Sequence, residues 1–422
     1  MLSELLGRRL VRMLYQPLVH RSSGDVIGYE ALARGPAGHP LEQPETLFAA
    51  ARREGRLAEL DWLCRATALR GALAAGLRPP AALFVNAEPE VFDAPPPAEY
   101  ATVLRTAQQD LKVLYEVTER GLSARPAELL AEVERARALG FGIAVDNIGM
   151  DWHSLALLPF IRPDVVKIDR SLIQGPLTDD VRAVATAVRA YAARTGAQIL
   201  AEGIELPAHD RRADVFGAQL GEGAKHGLPE LLTLSAATRM RPGARLVIDV
   251  RPIELTTPAA IALPHGQHEV MSKRALVRLS IAIERRAAEA AEPSVVLGAF
   301  QRAEHFLERR TRERFMRLAA GEAFVGAFGV GMPVEPAPGV RGAALDRNER
   351  LAGEWHIIVV GPHHAEALIA RDLGDSGPDA ERRFEYVHTL DRDLIVRTAR
   401  SLMLSIPAGV PATTQCTTIT CG

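Results

Sequence analysis

Residues 142–205 read GIAVDNIGMDWHSLALLPFIRPDVVKIDRSLIQGPLTDDVRAVATAVRAYAARTGAQILAEGIE. Three short apolar runs, Gly142–Val145, Val165–Ile168 and Gln198–Ala201, alternate there with helical spacing, clearest over Asp179–Arg194. Short apolar runs bounded by turn signals read as buried strands, and the stretches between them as amphipathic helices. The pattern extends upstream through Val26–Leu32, Ala82–Val85 and Val113–Tyr115. A second clear helix, Pro126–Leu139, opens after Ser123 and is closed by Gly140, as helix punctuation requires. Repeated strand–helix alternation predicts a parallel sheet with helices outside. A stretch of this length, to about residue 230, fits an open doubly wound sheet or a closed (β/α)8 barrel.

Polar residues recur where these runs end. Glu30, Glu116, Asp146 and Glu202 sit at or just after the end of a run, and Asn86 and Lys167 occupy equivalent places on two others. In a barrel such strand ends converge on one rim, where active sites form. Carboxylates and an amide converging there make an oxygen-rich site for a hard cation, Mg²⁺, Mn²⁺ or Ca²⁺. No closely spaced Cys/His set points to zinc. Divalent ions amid excess negative charge suit phosphate-ester hydrolysis, because they activate water and neutralise phosphoryl oxygens. Each residue alone is also an ordinary strand-end polar group; the ordered set is what carries the reading.

The chain has 422 residues, which suggests two or three domains. Hydrophobic residues make up 47% and charged residues 24%, with a net charge of −2. That is the balance of a globular protein, and it argues against a broad nucleic-acid surface or a polybasic membrane anchor. No apolar run is long enough to span a bilayer, and the N-terminus MLSELLGRRLVRMLYQP lacks a signal peptide's apolar core. A cytoplasmic protein is expected, with no nucleic-acid or membrane partner. Cys64, Cys416 and Cys421 are too few and scattered for a disulfide framework. Only four lysines occur, Lys112, Lys167, Lys225 and Lys273, leaving 46 arginines among the 50 basic residues. Each lysine therefore invites a question about its role.

With these residues in place, the first half resembles an EAL domain, the module that hydrolyses cyclic di-GMP. Glu30-Ala31-Leu32 followed by Arg34 matches the signature, and Gln16-Pro17 precedes it. Phe84-Val85-Asn86, Tyr115-Glu116-Val117-Thr118-Glu119, Asp146-Asn147-Ile148-Gly149, Lys167-Ile168-Asp169-Arg170 and Ala201-Glu202-Gly203-Ile204-Glu205 follow in family order. The resemblance implies a TIM-type (β/α)8 barrel over residues 1–235 and metal-dependent hydrolysis of cyclic di-GMP to linear pGpG with Mg²⁺ or Mn²⁺. It implies Glu30, Asn86, Glu116, Asp146 and Asn147 as metal ligands, and Lys167, Glu202 and Glu205 in catalysis, Lys167 orienting the attacking water. Gln16, Leu32, Arg34 and Glu222 would contact substrate. A homodimer through the barrel is also implied.

Two departures bear on activity. Asn147 replaces the family's second Asp, a ligand of the second ion, and the loop after it reads Gly149-Met150-Asp151-Trp152-His153-Ser154-Leu155. Glu222-Gly223-Ala224-Lys225-His226 stands where the family has a Gln and base-contacting aromatics. One substitution removes a negative charge and the other adds one, so Glu222 is a candidate compensator for Asn147. The competing reading is an inactive domain serving as a cyclic di-GMP receptor or protein-interaction module.

Near residues 230–246 the pattern changes, and a second unit over 246–405 begins with the run Leu246–Val250. A helix is expected at Ser272–Ala290, a strand at Ser294–Ala299, one helix at Arg302–Ala320, strands at Phe324–Val330 and Trp355–Val360, and a last helix at Arg392–Leu404. This smaller α/β unit resembles a DICT sensory domain on Gly298-Ala299-Phe300-Gln301, Phe306, Thr311, Arg314, Phe315, Glu354-Trp355, Arg383-Phe384-Glu385, Thr389, Asp391 and Arg392. It implies an input signal of unknown identity. His363-His364 reads as a strand pair whose side chains diverge, against a shared ligand role. No Gly-Gly-Asp-Glu-Phe motif occurs, so no cyclase activity is expected. The Thr-rich tail, 406–422, reads as disordered.

Overall fold

The computed structural model describes residues 1–92, 94–118, 125–149, 152–233, 246, 248, 256–265, 268–290, 292–321 and 324–406. Eight strands close into a barrel in sequence order. They are β1 (Arg12–His20), β2 (Val26–Arg34), β3 (Ala82–Asn86), β4 (Lys112–Thr118), β5 (Gly142–Ile148), β6 (Val165–Ile168), β7 (Gln198–Ala201) and β8 (Leu220–Gly221). From β2 to β8 neighbours run parallel. The all-parallel expectation fails only at β1, which is antiparallel to both β2 and β8. A short turn at residues 21–25 joins β1 to β2, and a connection that short can only make a hairpin.

Strand periodicity divides the barrel's side chains. Val113, Tyr115, Ile143, Val145, Val166, Ile168 and Ile199 face outward, into one cluster with the helices. Leu18, Ile27, Phe84, Leu114, Ala144, Val165, Leu200 and Leu220 fill the interior. The helix Asp179–Thr195 shows how the outer layer forms. Thr178 caps it by accepting from the Val181 amide, Gly196 ends it at φ 78°, and Val181, Val184, Ala185, Val188 and Tyr191 form its buried stripe.

Leu246 belongs to the barrel's inner cluster, with Ile248 packed beside it. The run expected to open the second unit thus lends at least these two side chains to the first. The second unit holds a seven-stranded sheet in the order β12-β11-β10-β13-β14-β15-β9. Its strands are β9 (Glu269–Ser272), β10 (Val295–Arg302), β11 (Phe324–Val330), β12 (Arg341–Leu345), β13 (Glu354–Val360), β14 (Ala365–Asp372) and β15 (Arg383–Thr389). Only β10, β11 and β12 are mutually parallel; the other pairings are antiparallel. The single helix expected at Arg302–Ala320 is two, Ala303–Leu307 and Arg309–Ala319. The break falls at Glu308, whose carboxylate caps the second helix at Thr311. His363 and His364 lie in the turn between β13 and β14, with both amides donating to Glu292.

One face of this sheet packs with Pro258–Ala262 and Arg392–Met403, in the cluster that continues into the barrel. The other face packs with Lys273–Glu289 and Arg309–Ala319. Arg194 donates to the Pro362 carbonyl across the junction, and Arg400 reaches Glu134. The second unit therefore docks near the starts of β6 and β7, at the end of the barrel opposite the carboxylate-bearing rim. The tail from residue 407 lies outside the described residues.

Candidate active site

On six of the strands a polar residue stands two places beyond an inward apolar side chain. Phe84 is followed by Asn86, Leu114 by Glu116, Ala144 by Asp146, Val165 by Lys167, Leu200 by Glu202 and Leu220 by Glu222. Because successive inward positions on a strand differ by two, closing the sheet stacks a polar layer on an apolar one. β2 contributes Glu30, paired across the hairpin with Gln16.

Lys167 occupies the middle of this layer, 1% exposed. Its Nζ lies 2.7 Å from Glu30 Oε2, 2.7 Å from Glu116 Oε1, 2.9 Å from Glu202 Oε1, 3.7 Å from Asp146 Oδ1 and 4.0 Å from Glu222 Oε2. Asn86 Nδ2 donates to Glu30 Oε1 at 3.3 Å. Among the described residues, oxygens of Glu30, Glu202 and Glu222 lie within 4.8 Å of one another, as ligands of one ion would.

One ammonium faces five carboxylates. Two carboxylates within 4.8 Å of each other repel by about 3.5 kcal/mol or more at an effective dielectric near 20. Burial, and then the neighbouring Glu30, push the Glu116 and Glu222 carboxyls well above the usual range. Burial pushes Glu202 up to about 8 against the pull of Lys167. Burial also acts upward on Glu30, but Lys167 outweighs it and holds that carboxyl low. Burial alone would depress Lys167, yet Glu116, Glu202 and Glu30 raise it well above its ordinary value. Among the described residues no hydrogen-bond donor reaches Glu116 Oε2, Asp146 Oδ1 or Glu222 Oε2. Buried oxygens without donors, in a layer this acidic, are ligands of the kind a hard divalent cation takes.

A family model for the EAL domain matches residues 1–229, a little over half of the chain. The chain belongs to the EAL domain family. A second model, DICT, described as a sensory domain in diguanylate cyclases and two-component systems, matches residues 256–373. The EAL portion is similar to cyclic di-GMP phosphodiesterase RocR of Pseudomonas aeruginosa, 31% identical over 215 residues, 50% of this chain and 55% of RocR. It is also similar to the bifunctional diguanylate cyclase/phosphodiesterase MucR of the same organism, 28% identical over 54% of this chain and 34% of MucR. The chain thus spans about half or less of these relatives' lengths. A solved MucR phosphodiesterase in complex with cyclic di-GMP is similar at 27% identity, covering 54% of this chain and 95% of that one, with a TM-score of 0.47.

The remaining expected residues of the EAL barrel are placed as follows. Asp146 and Asn147 sit in a bulge, where the β5–β6 register shifts between Val145 and Ile148. Asn147 adopts φ 61°, a left-handed conformation that Asn and Asp accept more readily than most residues, and its Nδ2 donates to Asp146 Oδ2 at 2.8 Å. Gln16 Nε2 donates to the Gly227 carbonyl at 3.2 Å. Leu32 and Arg34 line a cavity of about 330 Å³ beside Glu30 and Asn86. Glu205 is exposed and accepts from Gln174 rather than reaching Lys167. Glu119, Met150 and Asp151 lie outside the described residues. Glu222, expected among substrate contacts and as the compensator for Asn147, stands in the carboxylate layer. Its carbonyl accepts from Ile204, and a Cβ on Gly223 would fall 2.3 Å from the Ile204 backbone. Only glycine lets the β7 and β8 loops close this tightly and bring Glu222 to Glu202.

Among the described residues no helix is long and apolar enough to cross a membrane.

Proposed function

We propose that the protein is a cyclic di-GMP phosphodiesterase that opens the dinucleotide to pGpG, and that its second unit regulates this reaction in the cytoplasm. The observation that carries the reading is the polar layer around Lys167, with buried carboxylate oxygens that no donor reaches among the described residues. Glu30, Asn86, Glu116 and Asp146 are the residues to hold a first divalent ion, Mg²⁺ or Mn²⁺, with Asn147 and Glu222 toward a second. When bound, the ions supply charge neutralisation at the phosphoryl oxygens and acidify water. Water oxygen bonds to phosphorus, the bond to the 3′ oxygen breaks, and a proton returns to that leaving oxygen. Lys167, fixed by Glu30, Glu116 and Glu202, holds the attacking water in line. Arg34, beside the Leu32 cavity, faces a phosphate of the dinucleotide.

Glu222 carries the charge that Asn147 lacks. Its position within reach of Glu30 and Glu202 supports this. A second reading, a receptor that binds without turnover, is favoured by Asn147, since its amide already donates to Asp146 and brings no charge. The deciding experiment incubates the full chain with cyclic di-GMP and Mg²⁺ or Mn²⁺ and follows pGpG by chromatography, with Glu30→Ala as blank. Turnover lost in the blank supports the enzyme. No product, with calorimetric binding of cyclic di-GMP, supports the receptor. Glu222→Gln is expected to weaken metal affinity at least tenfold; unchanged affinity removes the compensator role. Homodimerisation through the barrel belongs to the same proposal, and light scattering tests it.

A further inference from the structure

Four positions by which the second unit resembles the DICT family, Phe300, Thr311, Arg314 and Trp355, are spread along the sequence and meet around one cavity of about 520 Å³. That volume is typical of a small-molecule site. Phe300 and Trp355 form its floor, ring centres 5.6 Å apart and edge to face. Val277 and Ile281 supply an apolar wall from the helix Lys273–Glu289.

Lys273, one of the four lysines, stands at the head of that helix, 3% exposed, its ammonium 5.5 Å from the centre of the Trp355 ring. The helix N-terminus adds positive potential at the same place. Three of the cavity's other polar groups are committed within the domain. Trp355 Nε1 donates to Ser280 Oγ at 3.0 Å, and Arg314 Nε to Glu284 at 2.6 Å. His305 Nδ1 lies 2.8 Å from the Phe300 carbonyl, which makes it the donor and leaves Nε2 to accept from Lys273 at 3.2 Å.

The remaining partner of Lys273 is different in kind. Asp379 accepts from it through both oxygens, at 2.9 and 2.8 Å. That carboxylate comes from a surface turn, is 52% exposed, and has an alternative cation in Arg382 at 3.2 Å. A carboxylate held on a buried ammonium beside an indole face marks where a ligand's carboxylate would sit.

We propose that this cavity is the sensory site and takes a planar aromatic carboxylate. The ring lies against Trp355 and Phe300, and the carboxylate displaces that of Asp379 from Lys273. The freed turn leads directly into β15 and, after Leu390 and Asp391, into the helix Arg392–Met403 that docks on the barrel. Only the regulatory meaning of this step rests on the proposed phosphodiesterase; the binding itself does not.

The test titrates the full chain with 2-naphthoate and with 2-naphthamide, by calorimetry and by tryptophan fluorescence. Naphthoate is expected to bind at least tenfold more tightly than the amide. Asp379→Asn, at an exposed position, is expected to tighten naphthoate binding several-fold by removing the competitor. Lys273→Met is expected to abolish the preference for the acid. Equal binding of acid and amide, no binding of either to the Asp379→Asn protein, or an unchanged affinity in that variant overturns the proposal. Any of these with pGpG formation intact leaves the phosphodiesterase reading standing, and acid-selective binding without pGpG formation sinks that reading alone.

Discussion

At the scale of single residues, Lys167 is decisive because it is the cation common to five carboxylates. Removing one partner of a buried ionic set leaves uncompensated charge, at a cost of about 3–5 kcal/mol. Lys167→Met should therefore lower the melting temperature strongly in EDTA, and Mg²⁺ should recover much of the loss. Equal melting with and without Mg²⁺ in that variant would argue against a cation site. Asn147→Asp is a second residue-scale test. The backbone at φ 61° accepts either residue, but the amide's hydrogen bond to Asp146 becomes a repulsion between carboxylates. The variant should be less stable than the parent in EDTA, yet bind Mn²⁺ at least tenfold more tightly by calorimetry. If turnover rises with it, the parent is an enzyme limited at its second ion.

Between elements, the same logic governs Arg65. It is buried on the helix Leu57–Ala74, pairs with Asp61 at 2.7 Å, and reaches Glu132 of the helix Pro126–Ala138 at 2.6 Å. Its guanidinium lies over Trp62 and Tyr115, 4.7 and 5.1 Å from the ring centres. Arg65→Ala strands two buried carboxylates and should cost about 3–5 kcal/mol. A lower urea midpoint with an unchanged slope would check it. Thr178→Ala removes a cap from the helix Asp179–Thr195 and should cost about 1 kcal/mol in the same assay. Several elements were legible in the sequence and several were not. β4 and β5 announce themselves by apolar runs ending in Glu116 and Asp146. β14, Ala-Glu-Ala-Leu-Ile-Ala-Arg-Asp, has no strand signature of its own. It extends because β13 and β15 bond it on both sides, and strand preference is largely set by such context.

For the whole molecule, the two units meet at the end of the barrel away from Lys167, so any signal must cross the barrel's length. Arg400 sits at this junction, 4% exposed, with Glu134 at 3.4 Å. Burial and the nearby Arg162 depress its guanidinium to about 10. Exchanging a poorly compensated buried ion for an apolar side chain is often neutral or stabilising. Arg400→Met should leave the melting temperature unchanged or raise it, and a clear fall would show that the Glu134 contact holds the units together.

The sequence by itself determined the inner and outer faces of the strands and the polar layer above the apolar one, because side-chain direction alternates with a fixed period of two. Glu30, Asn86, Glu116, Asp146, Lys167 and Glu202 are legible on that ground alone. The antiparallel entry of β1 was not, since alternation carries no direction. Nor were the meeting of Glu222 with Glu30 and Glu202, or of Lys273 with Asp379 across 106 residues. Those contacts depend on barrel closure at a two-residue strand and on the order of a seven-stranded sheet. Only the tertiary structure decides them, because the distance between residues far apart in sequence is set by where the strands next to them lie in the sheet.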